Sequence, residues 1–166
     1  AAKVTIAETG FGRGLNFLAG MALLESKAPK RDQPDCQGDY ISFESRPLPA
    51  VVMAQSHQAF PDLARHSDDL IAALPPQWPG LHRRDFLQGR LRLHLIYGDA
   101  NDAVAKADFA ADAWFLDGFT PAKNPQLWNQ DLLTAIGRLT RAGGSFATFT
   151  VASAVRQRLA EAGFEL

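Results

Sequence analysis

The sequence predicts an α/β fold, a Rossmann-like, mostly parallel twisted sheet with helices on both faces. Strand-like and helix-like apolar patterns alternate along the chain, a glycine-rich turn joins the first strand to the first helix, and several strands end in a carboxylate. A ligand of such a sheet lies across the carboxyl ends of the strands. The residues that end each strand are therefore the candidates for a functional site.

The first half of the chain is predicted to contain two strands and three helices. Residues 4–7 alternate as a half-buried strand does, and apolar residues at helical spacing form one stripe of the first helix, namely Leu15, Leu18, Ala19, Ala22 and Leu23. Residues 26–39 are rich in breakers and charge, which predicts an exposed loop. The elements expected next are a strand over 40–44, a helix over 48–60 after Pro47, and a helix over 62–74 that Pro75 ends.

The second half continues the alternation. Two strand patterns, 82–87 and 90–97, flank Gln88-Gly89 and predict a hairpin. Asn124 and Pro125 are typical of a helix start. The remaining predicted elements are a helix over 101–106, a strand over 113–116, a helix over 125–139 with Trp128 in its buried stripe, a strand over 145–150 and a helix over 152–162.

Length and composition restrict the class of protein. The 166 residues suit one domain, 46% are hydrophobic and 21% charged, and no apolar run approaches the ~18 residues of a membrane span. Cys36 is the only cysteine and no signal-peptide pattern is visible, so a reducing, cytoplasmic location is expected. The net charge of −1 excludes a strongly basic domain that coats nucleic acid.

The glycine turn E-T-G-F-G-R-G-L-N, residues 8–16, indicates the class of ligand. Gly10, Gly12 and Gly14 leave the main chain open to close approach, and the helix that follows offers free N–H groups. A dinucleotide fingerprint would need glycine at Leu15, and a phosphate loop would need a following lysine. Glu8 would repel a pyrophosphate but suits an ammonium or sulfonium group, which favours S-adenosylmethionine. A tight packing turn in any doubly wound domain is the alternative.

Four carboxylates, Glu8, Glu44, Asp99 and Asp117, end successive strands of the predicted sheet. Any one of them alone could be structural, but four in series favour a site. We expect Glu44 to accept the ribose hydroxyls, Asp99 the adenine amine, and Glu8 to face the methionine ammonium. Asp117 is left for the acceptor substrate. Two neighbours, Asn16 and Ala100, complete the predicted donor site.

The segment that follows Asp117 carries the strongest local signal. Residues 118–123 have no evident structural role, and an exposed Phe119 there is typical of a platform for an aromatic base. Lys123 is positioned to meet a phosphate. Four arginines surround the predicted hairpin, namely Arg83, Arg84, Arg90 and Arg92, and they could contact phosphates or protect a sheet edge.

Five stretches then make a family resemblance specific. They are E-T-G-F-G-R-G-L-N-F-L, F-E-S-R-P-L, L-H-L-I-Y-G-D-A, A-W-F-L-D-G-F-T-P-A-K-N-P-Q-L-W and R-A-G-G-S-F-A-T-F-T-V-A-S-A-V-R-Q-R-L-A-E-A-G-F. The chain resembles the methyltransferase domain of the bifunctional enzymes that complete 5-methylaminomethyl-2-thiouridine at the wobble position of certain tRNAs, and their stand-alone relatives. These are class I methyltransferases.

The resemblance implies S-adenosyl-L-methionine as donor and the aminomethyl nitrogen of a wobble uridine in a tRNA anticodon loop as acceptor. In the bifunctional form a separate C-terminal FAD-dependent domain first removes a carboxymethyl group, so an oxidase domain, fused or separate, is an expected partner. No FAD domain is recognisable within residues 1–166. These residues are expected to form a single, partial methyltransferase domain, because the family's sheet continues into further strands after Gly163.

The mechanism expected is a direct displacement, with Asp117 as catalytic residue accepting a proton from the amine or orienting its lone pair. Many amine methyltransferases have N-P-P-Y after the fourth strand where this chain has D-G-F, so backbone-carbonyl contacts to the amine are not assumed. Three other hypotheses remain: a methyltransferase of another substrate, a non-catalytic nucleoside-binding fragment, and an NAD-linked oxidoreductase. The four histidines have no metal-ligand spacing.

Overall fold

A computed structural model describes residues 3–27, 38–118 and 120–166. Its strands form one sheet in the order β3-β4-β2-β1-β5-β6. They are β1 Val4–Glu8, β2 Gly38–Glu44, β3 Gly80–Phe86, β4 Leu91–Tyr97, β5 Ala111–Phe115 and β6 Thr140–Ala147. All neighbouring pairs are parallel except β3 with β4, which confirms the predicted mostly parallel sheet. Most of the predicted loop over 26–39, and Phe119, lie outside the described residues.

Helices cover both faces of the sheet, as predicted. They are α1 Leu15–Ser26, α2 Ala50–His57, α3 Ala64–Ala73, α4 Ala100–Lys106, α5 Gln130–Arg138 and α6 Ser153–Glu161. One core lies under α1 to α3 and includes Phe17 and Leu93, while the other lies under α4 to α6 and includes Trp114 and Leu132. In the described part of the chain no helix is long and apolar enough to cross a bilayer.

The order of the strands creates a crevice at the centre of the sheet. From β1 the chain moves outwards through β2 to β4, then returns to place β5 on the other side of β1. Two parallel strands whose outgoing connections run in opposite directions leave a gap between their carboxyl ends, which is the usual ligand position in open α/β sheets. The gap between β1 and β5 is the switch point of this fold.

Several predicted boundaries are wrong in the second half of the chain. The helix predicted over 125–139 begins at Gln130, because the side chain of Asn129, not that of Asn124, accepts a bond from the Leu132 amide at 2.8 Å and caps it. Pro125–Trp128 form a separate 3₁₀ turn, in which Trp128 is buried as predicted. The last strand lies over Thr140–Ala147 rather than 145–150. The register between β5 and β6 shifts between Ala111 and Ala113, and this irregularity keeps Gly143 and Gly144 within β6.

The first half also differs from expectation. Both predicted helices are shorter, since α2 covers only Ala50–His57 and residues Pro61–Leu63 form a 3₁₀ turn before α3. In α1 the buried side chains are Phe17, Leu18 and Met21, whereas Leu23 of the predicted stripe is 58% exposed. Apolar residues surround α1 on most sides, so their spacing does not identify the buried face.

The predicted hairpin is confirmed, and three of its four arginines, Arg84, Arg90 and Arg92, make contacts within the fold. Arg92 pairs with Asp85 across the two strands, with Nε to Oδ1 at 2.7 Å. Arg84 Nε donates to the Ala73 carbonyl at 2.7 Å, and Arg90 Nη2 donates to the Leu24 carbonyl at 3.2 Å. These contacts support edge protection and packing rather than the alternative of phosphate binding.

The fold itself requires glycine at position 14. It precedes α1 with φ of +72°, and a Cβ added there would lie 2.9 Å from Cδ2 of Leu70. We expect Gly14→Ala to lower the free energy of unfolding by about 1–2 kcal/mol or more, because a left-handed conformation and a steric clash both oppose alanine. Urea denaturation measures the change.

Gly20→Ala is the matched control for this substitution. Gly20 lies inside α1, and a Cβ there would meet nothing within 4 Å. Alanine should therefore leave stability unchanged or raise it by up to about 1 kcal/mol. Equal losses of stability in the two variants would contradict the assigned role of Gly14.

Candidate active site

Four carboxylates meet at one edge of the sheet. Glu8 and Glu44 are the last residues of β1 and β2, while Asp99 and Asp117 follow β4 and β5 by two residues each. These strands are neighbours in the order β4-β2-β1-β5 and all run parallel, so their carboxyl ends share an edge. The topology therefore gathers residues that are up to 109 positions apart in the sequence.

Glu8 is buried at the centre of this edge, with 1% of its surface exposed. Its Oε1 accepts a hydrogen bond from the Ser42 hydroxyl at 2.8 Å, and its Oε2 accepts one from Asn16 Nδ2 at 3.3 Å. The pKa of Glu8 is raised to about 8, mainly by burial. The nearby Asp117 also raises it, and the hydrogen-bond donors offset only part of the increase. No cation pairs with Glu8 among the described residues.

The Tyr40 hydroxyl is buried close to Glu8 but makes no hydrogen bond within the described chain. Burial raises the pKa of Tyr40, and the neighbouring Glu8 carboxyl raises it further. The tyrosine therefore stays neutral and supplies no negative charge of its own. The surroundings of Glu8 on β2 are polar and uncharged.

Asn16 bridges the two sides of the switch point. Its Nδ2 donates to Asp117 Oδ2 at 2.5 Å as well as to Glu8. Because Asn16 lies in the first turn of α1, the glycine turn fixes its direction. A single side-chain amide thus holds a carboxyl from β1 and one from the end of β5 at the same place.

Asp117 is partly buried and is held at two points. Asn16 occupies Oδ2, and the Thr9 hydroxyl donates to the Asp117 backbone carbonyl at 3.0 Å. Oδ1 has no hydrogen-bond partner in the described part of the protein. The Asp117 backbone carbonyl is therefore already occupied by Thr9, which agrees with assuming no carbonyl contact to the amine.

Glu44 fixes the glycine turn from one side. Its Oε2 accepts from the Gly12 amide and its Oε1 from the Arg46 amide, each at 2.8 Å. Each carboxylate oxygen can accept a second bond, so the predicted contact with hydroxyl groups remains compatible with this arrangement. Gly12 has φ of +51° and a Cβ added to it would meet nothing within 4 Å, which leaves open space above the main chain.

His57 fixes the same turn from the other side, and the sequence analysis missed this role. Its Nε2 lies 2.6 Å from the Arg13 carbonyl, and its Nδ1 lies 2.6 Å from the Ser67 hydroxyl. A carbonyl can only accept, so Nε2 carries the hydrogen. No local signal identifies His57, because its partners are 44 and 10 residues away in the chain.

The Asp99 region forms the far side of the edge. Asp99 Oδ1 caps α4 by accepting from the Asn101 amide at 2.8 Å, and Ala100 behind it is buried. Asn101 Nδ2 donates to the Gln126 carbonyl at 3.0 Å, and Asn129 Nδ2 donates to Asn101 Oδ1 at 2.6 Å. The segment after Asp117 is thereby tied to the Asp99 side of the site.

Lys123 is exposed in a turn in which its amide donates to the Thr120 carbonyl at 2.8 Å. Phe119 lies outside the described residues, and its contact with a base stays a prediction. Among the residues that the structure describes, no group of three or more His, Cys, Asp or Glu side chains could hold a metal ion.

The side chains at this edge of the sheet fit a cationic nucleoside. Among the described residues none of these carboxylates pairs with a cation, so they suit ammonium, sulfonium, hydroxyl and amine groups, and open space lies above Gly12. A pyrophosphate would be repelled by the negative charge of Glu44 and Asp117. The residues present therefore fit S-adenosylmethionine better than a dinucleotide.

The raised pKa of Glu8 predicts how stability depends on pH. The unfolded chain loses this proton near 4.5, whereas the folded chain keeps it up to about 8. Between these values the folded state binds more protons, so Glu8 lowers the free energy of unfolding progressively as the pH rises. We expect Glu8→Gln to gain stability relative to the parent chain as the pH rises through this window.

Urea denaturation at several pH values measures this difference. Glu165→Gln, at an exposed position, is the control and should show a difference that does not change with pH. A constant difference for Glu8→Gln as well would show that the Glu8 carboxyl ionises in the fold as it does in the unfolded chain.

Comparison with known proteins agrees with this geometry. A family model described as S-adenosyl-L-methionine-dependent methyltransferase matches residues 61–166. The chain is 41% identical over 162 residues to the tRNA 5-methylaminomethyl-2-thiouridine biosynthesis bifunctional protein MnmC of Magnetococcus marinus. That match covers 98% of this chain and 24% of the relative, so the chain spans about a quarter of its length.

The fold has a solved relative as well. The crystal structure of MNMC2 from Aquifex aeolicus matches with a TM-score of 0.76 and 27% sequence identity, over 99% of this chain and 48% of that one. The glycine turn, the switch-point carboxylates and the family match over residues 61–166 lead to the same conclusion. The chain belongs to the S-adenosyl-L-methionine-dependent methyltransferase family.

Proposed function

We propose that this chain transfers a methyl group from S-adenosyl-L-methionine to the aminomethyl nitrogen of 5-aminomethyl-2-thiouridine at the tRNA wobble position. The product is 5-methylaminomethyl-2-thiouridine. The observation that carries the proposal is the 41% identity, over 98% of the chain, to a protein named for the biosynthesis of that nucleoside. The acidic switch point supports it, because a carboxylate can bind an aliphatic amine acceptor and take up its proton.

The glycine turn and the β2–β4 side would hold the donor. Glu44 would accept the ribose hydroxyls and Asp99, beside Ala100, the adenine amine, while Gly10, Gly12 and Gly14 leave room at the main chain. Glu8 and Asn16 would face the methionine ammonium. This ammonium would supply the cationic partner that Glu8 lacks among the described residues. The donor supplies an electrophilic methyl group on a sulfonium.

Asp117 would act on the acceptor. An aliphatic amine is mostly protonated at neutral pH and cannot attack until it loses a proton. Asn16 holds Oδ2 of Asp117, which leaves Oδ1 to accept that proton or orient the amine. Holding the nitrogen in line with the methyl group would supply most of the acceleration. We further propose that Phe119 contacts the base and Lys123 a phosphate of the RNA.

The proposal extends to the organisation of the protein. We propose that residues 1–166 form one methyltransferase domain, which acts in the cytoplasm where tRNA is modified. An FAD-dependent oxidase domain, fused or separate, would prepare the substrate. The word "bifunctional" in the name of the relative supports a second activity in that protein.

Family membership removes the support for an NAD-linked oxidoreductase. A methyltransferase of another substrate and a non-catalytic fragment are the outcomes that an assay must distinguish. The chain is incubated with labelled S-adenosylmethionine and tRNA that carries 5-aminomethyl-2-thiouridine, and the nucleosides are then separated. Label in 5-methylaminomethyl-2-thiouridine supports the proposal. Donor binding with no transfer to this tRNA contradicts it.

Substitution of Asp117 tests the catalytic role. We expect Asp117→Asn to lower kcat by about 10²–10⁴-fold, the range typical of a lost general base, because the amide cannot accept the proton. Binding of S-adenosylhomocysteine, measured by calorimetry, should change much less. Turnover equal to that of the parent chain would exclude Asp117 as the proton acceptor.

Substitution of Asp99 should have the opposite effect. We expect Asp99→Ala to weaken binding of S-adenosylhomocysteine at least tenfold, with kcat at saturating donor largely kept, because Asp99 lies on the donor side only. Alanine also removes the cap of α4, which costs about 1 kcal/mol of stability.

Asp99→Asn separates the two effects, since asparagine caps helices as well as aspartate does. It should keep the stability but still lose affinity, because its amide nitrogen cannot accept a bond from the adenine amine. Full affinity in Asp99→Asn would assign Asp99 to the helix cap alone.

A further inference from the structure

Two exposed arginines lie beside the donor side of the site. The Glu44 carboxylate accepts hydrogen bonds from the amides of Gly12 and Arg46. Because Arg13 follows Gly12 in the sequence, the backbones of both arginines lie close to the Glu44 side chain. Both arginine side chains are exposed, and neither has an ion-pair partner within the described ranges. Glu44 fixes the backbone at Arg46 by accepting from its amide, and His57 fixes the backbone at Arg13 by donating to its carbonyl.

An exposed tryptophan lies beside the segment that follows Arg46. Trp78 is 71% exposed, yet its loop is fixed on both sides. Gln77 Nε2 donates to the carbonyls of Pro47 and Leu48 at 3.3 and 3.1 Å, and His82 Nε2 donates to the Trp78 carbonyl at 2.7 Å. Pro47 directly follows Arg46, so the tryptophan lies beside the same segment.

The sheet places this group at the functional edge. Trp78 precedes β3 by two residues, and Gly80 at the start of β3 pairs with Tyr97 at the carboxyl end of β4. Tyr97 in turn pairs with Glu44. The aromatic ring therefore belongs to the edge that carries the four carboxylates rather than to the opposite one.

We propose that Arg13, Arg46 and Trp78 form an RNA-binding surface, in which the two guanidinium groups contact backbone phosphates and the indole stacks on an unpaired base. We call these three residues the Arg-Trp surface. The inference rests on the proposed function, since it identifies where the tRNA substrate would be held, and it adds residues that the proposed catalytic site does not contain.

Charge complementarity argues for RNA as the occupant. A polyanion approaching this edge meets the negative charge of Glu44, Asp99 and Asp117, and exposed cations on the surrounding loops offset that repulsion. Phosphates pair with arginine side chains through charge-assisted hydrogen bonds. Exposed aromatic rings held on a fixed backbone suit the bases of single-stranded loops.

Two arginine variants test the electrostatic part. The probe is fluorescein-labelled tRNA that lacks the methyl group, titrated with the chain at several salt concentrations. We expect Arg13→Ala and Arg46→Ala each to weaken binding several-fold at low salt, and each to lower the slope of log Kd against log salt by about one. Affinity for S-adenosylhomocysteine should stay within about twofold, because the Arg46 amide and the Arg13 carbonyl, which fix the turn, both remain.

Arg83→Ala is the matched control. Arg83 is exposed on β3 and lacks an ion-pair partner among the described residues, so its loss changes the net charge equally. It should leave the RNA affinity and the salt slope unchanged. Equal weakening in all three variants would indicate a diffuse charge effect and overturn the Arg-Trp surface.

Trp78 tests the stacking part. We expect Trp78→Ala to weaken binding of the tRNA about tenfold, Trp78→Phe to restore most of the loss, and neither to weaken binding of duplex RNA. Leu23→Ala, at a position 58% exposed near the far end of α1, is the apolar control and should have no effect. Unchanged tRNA affinity in Trp78→Ala would overturn the stacking role.

The two proposals can fail separately. If the parent chain binds tRNA through the Arg-Trp surface but transfers no methyl group, the proposed function fails and the surface stands. If it methylates tRNA and the three variants keep the parent KM for tRNA, the surface is wrong and the proposed function stands.

Discussion

The buried carboxyl of Glu8 is the constraint on which the site depends. It lies at the end of the central strand, enclosed by neutral donors from β2 and α1, and next to a second carboxyl at Asp117. Ionising such a group without a cation is costly, so the fold keeps it protonated to a pH well above the usual value. A fold optimised only for stability would place an apolar side chain there. A buried acid that lacks a partner is typical of a site whose partner is a ligand.

Residues from distant parts of the chain hold the glycine turn in place. Glycines allow the main chain to turn and leave it open, but they provide no side chains with which to fix it. The fixing groups come from elsewhere: Glu44 binds the Gly12 amide, and His57 binds the Arg13 carbonyl. Helices α2 and α3 thus do more than cover the sheet, because His57 and its partner Ser67 stabilise the turn that faces the ligand. A turn fixed in advance costs less entropy to order when a ligand binds.

The sequence predicted the layers, the hairpin and the shared edge of the carboxylates, because each rests on a local pattern plus the rule that parallel strands align their ends. It could not predict the contacts that bridge distant residues, such as Asn16 with Asp117, which are 101 residues apart. Helix starts were wrong where two caps competed, as at Asn124 and Asn129. The buried face of α1 was wrong because its apolar residues lie all around the helix. The role of His57 could not be predicted, since nothing near it in sequence indicates the turn that it binds.

The distribution of charge along the sheet edge separates two tasks that conflict. An amine acceptor and a cationic donor need carboxylates, whereas an RNA substrate is repelled by them. Here the carboxylates lie at the strand ends, Glu8 fully buried and Asp117 partly buried, while Arg13, Arg46 and Lys123 extend from the loops above. The net charge of −1 conceals this arrangement, because an average over the chain carries no information about position. Steering depends on the local field, and at this edge exposed arginine and lysine side chains accompany carboxylates of which Glu8 and Asp117 are recessed and Asp99 is exposed.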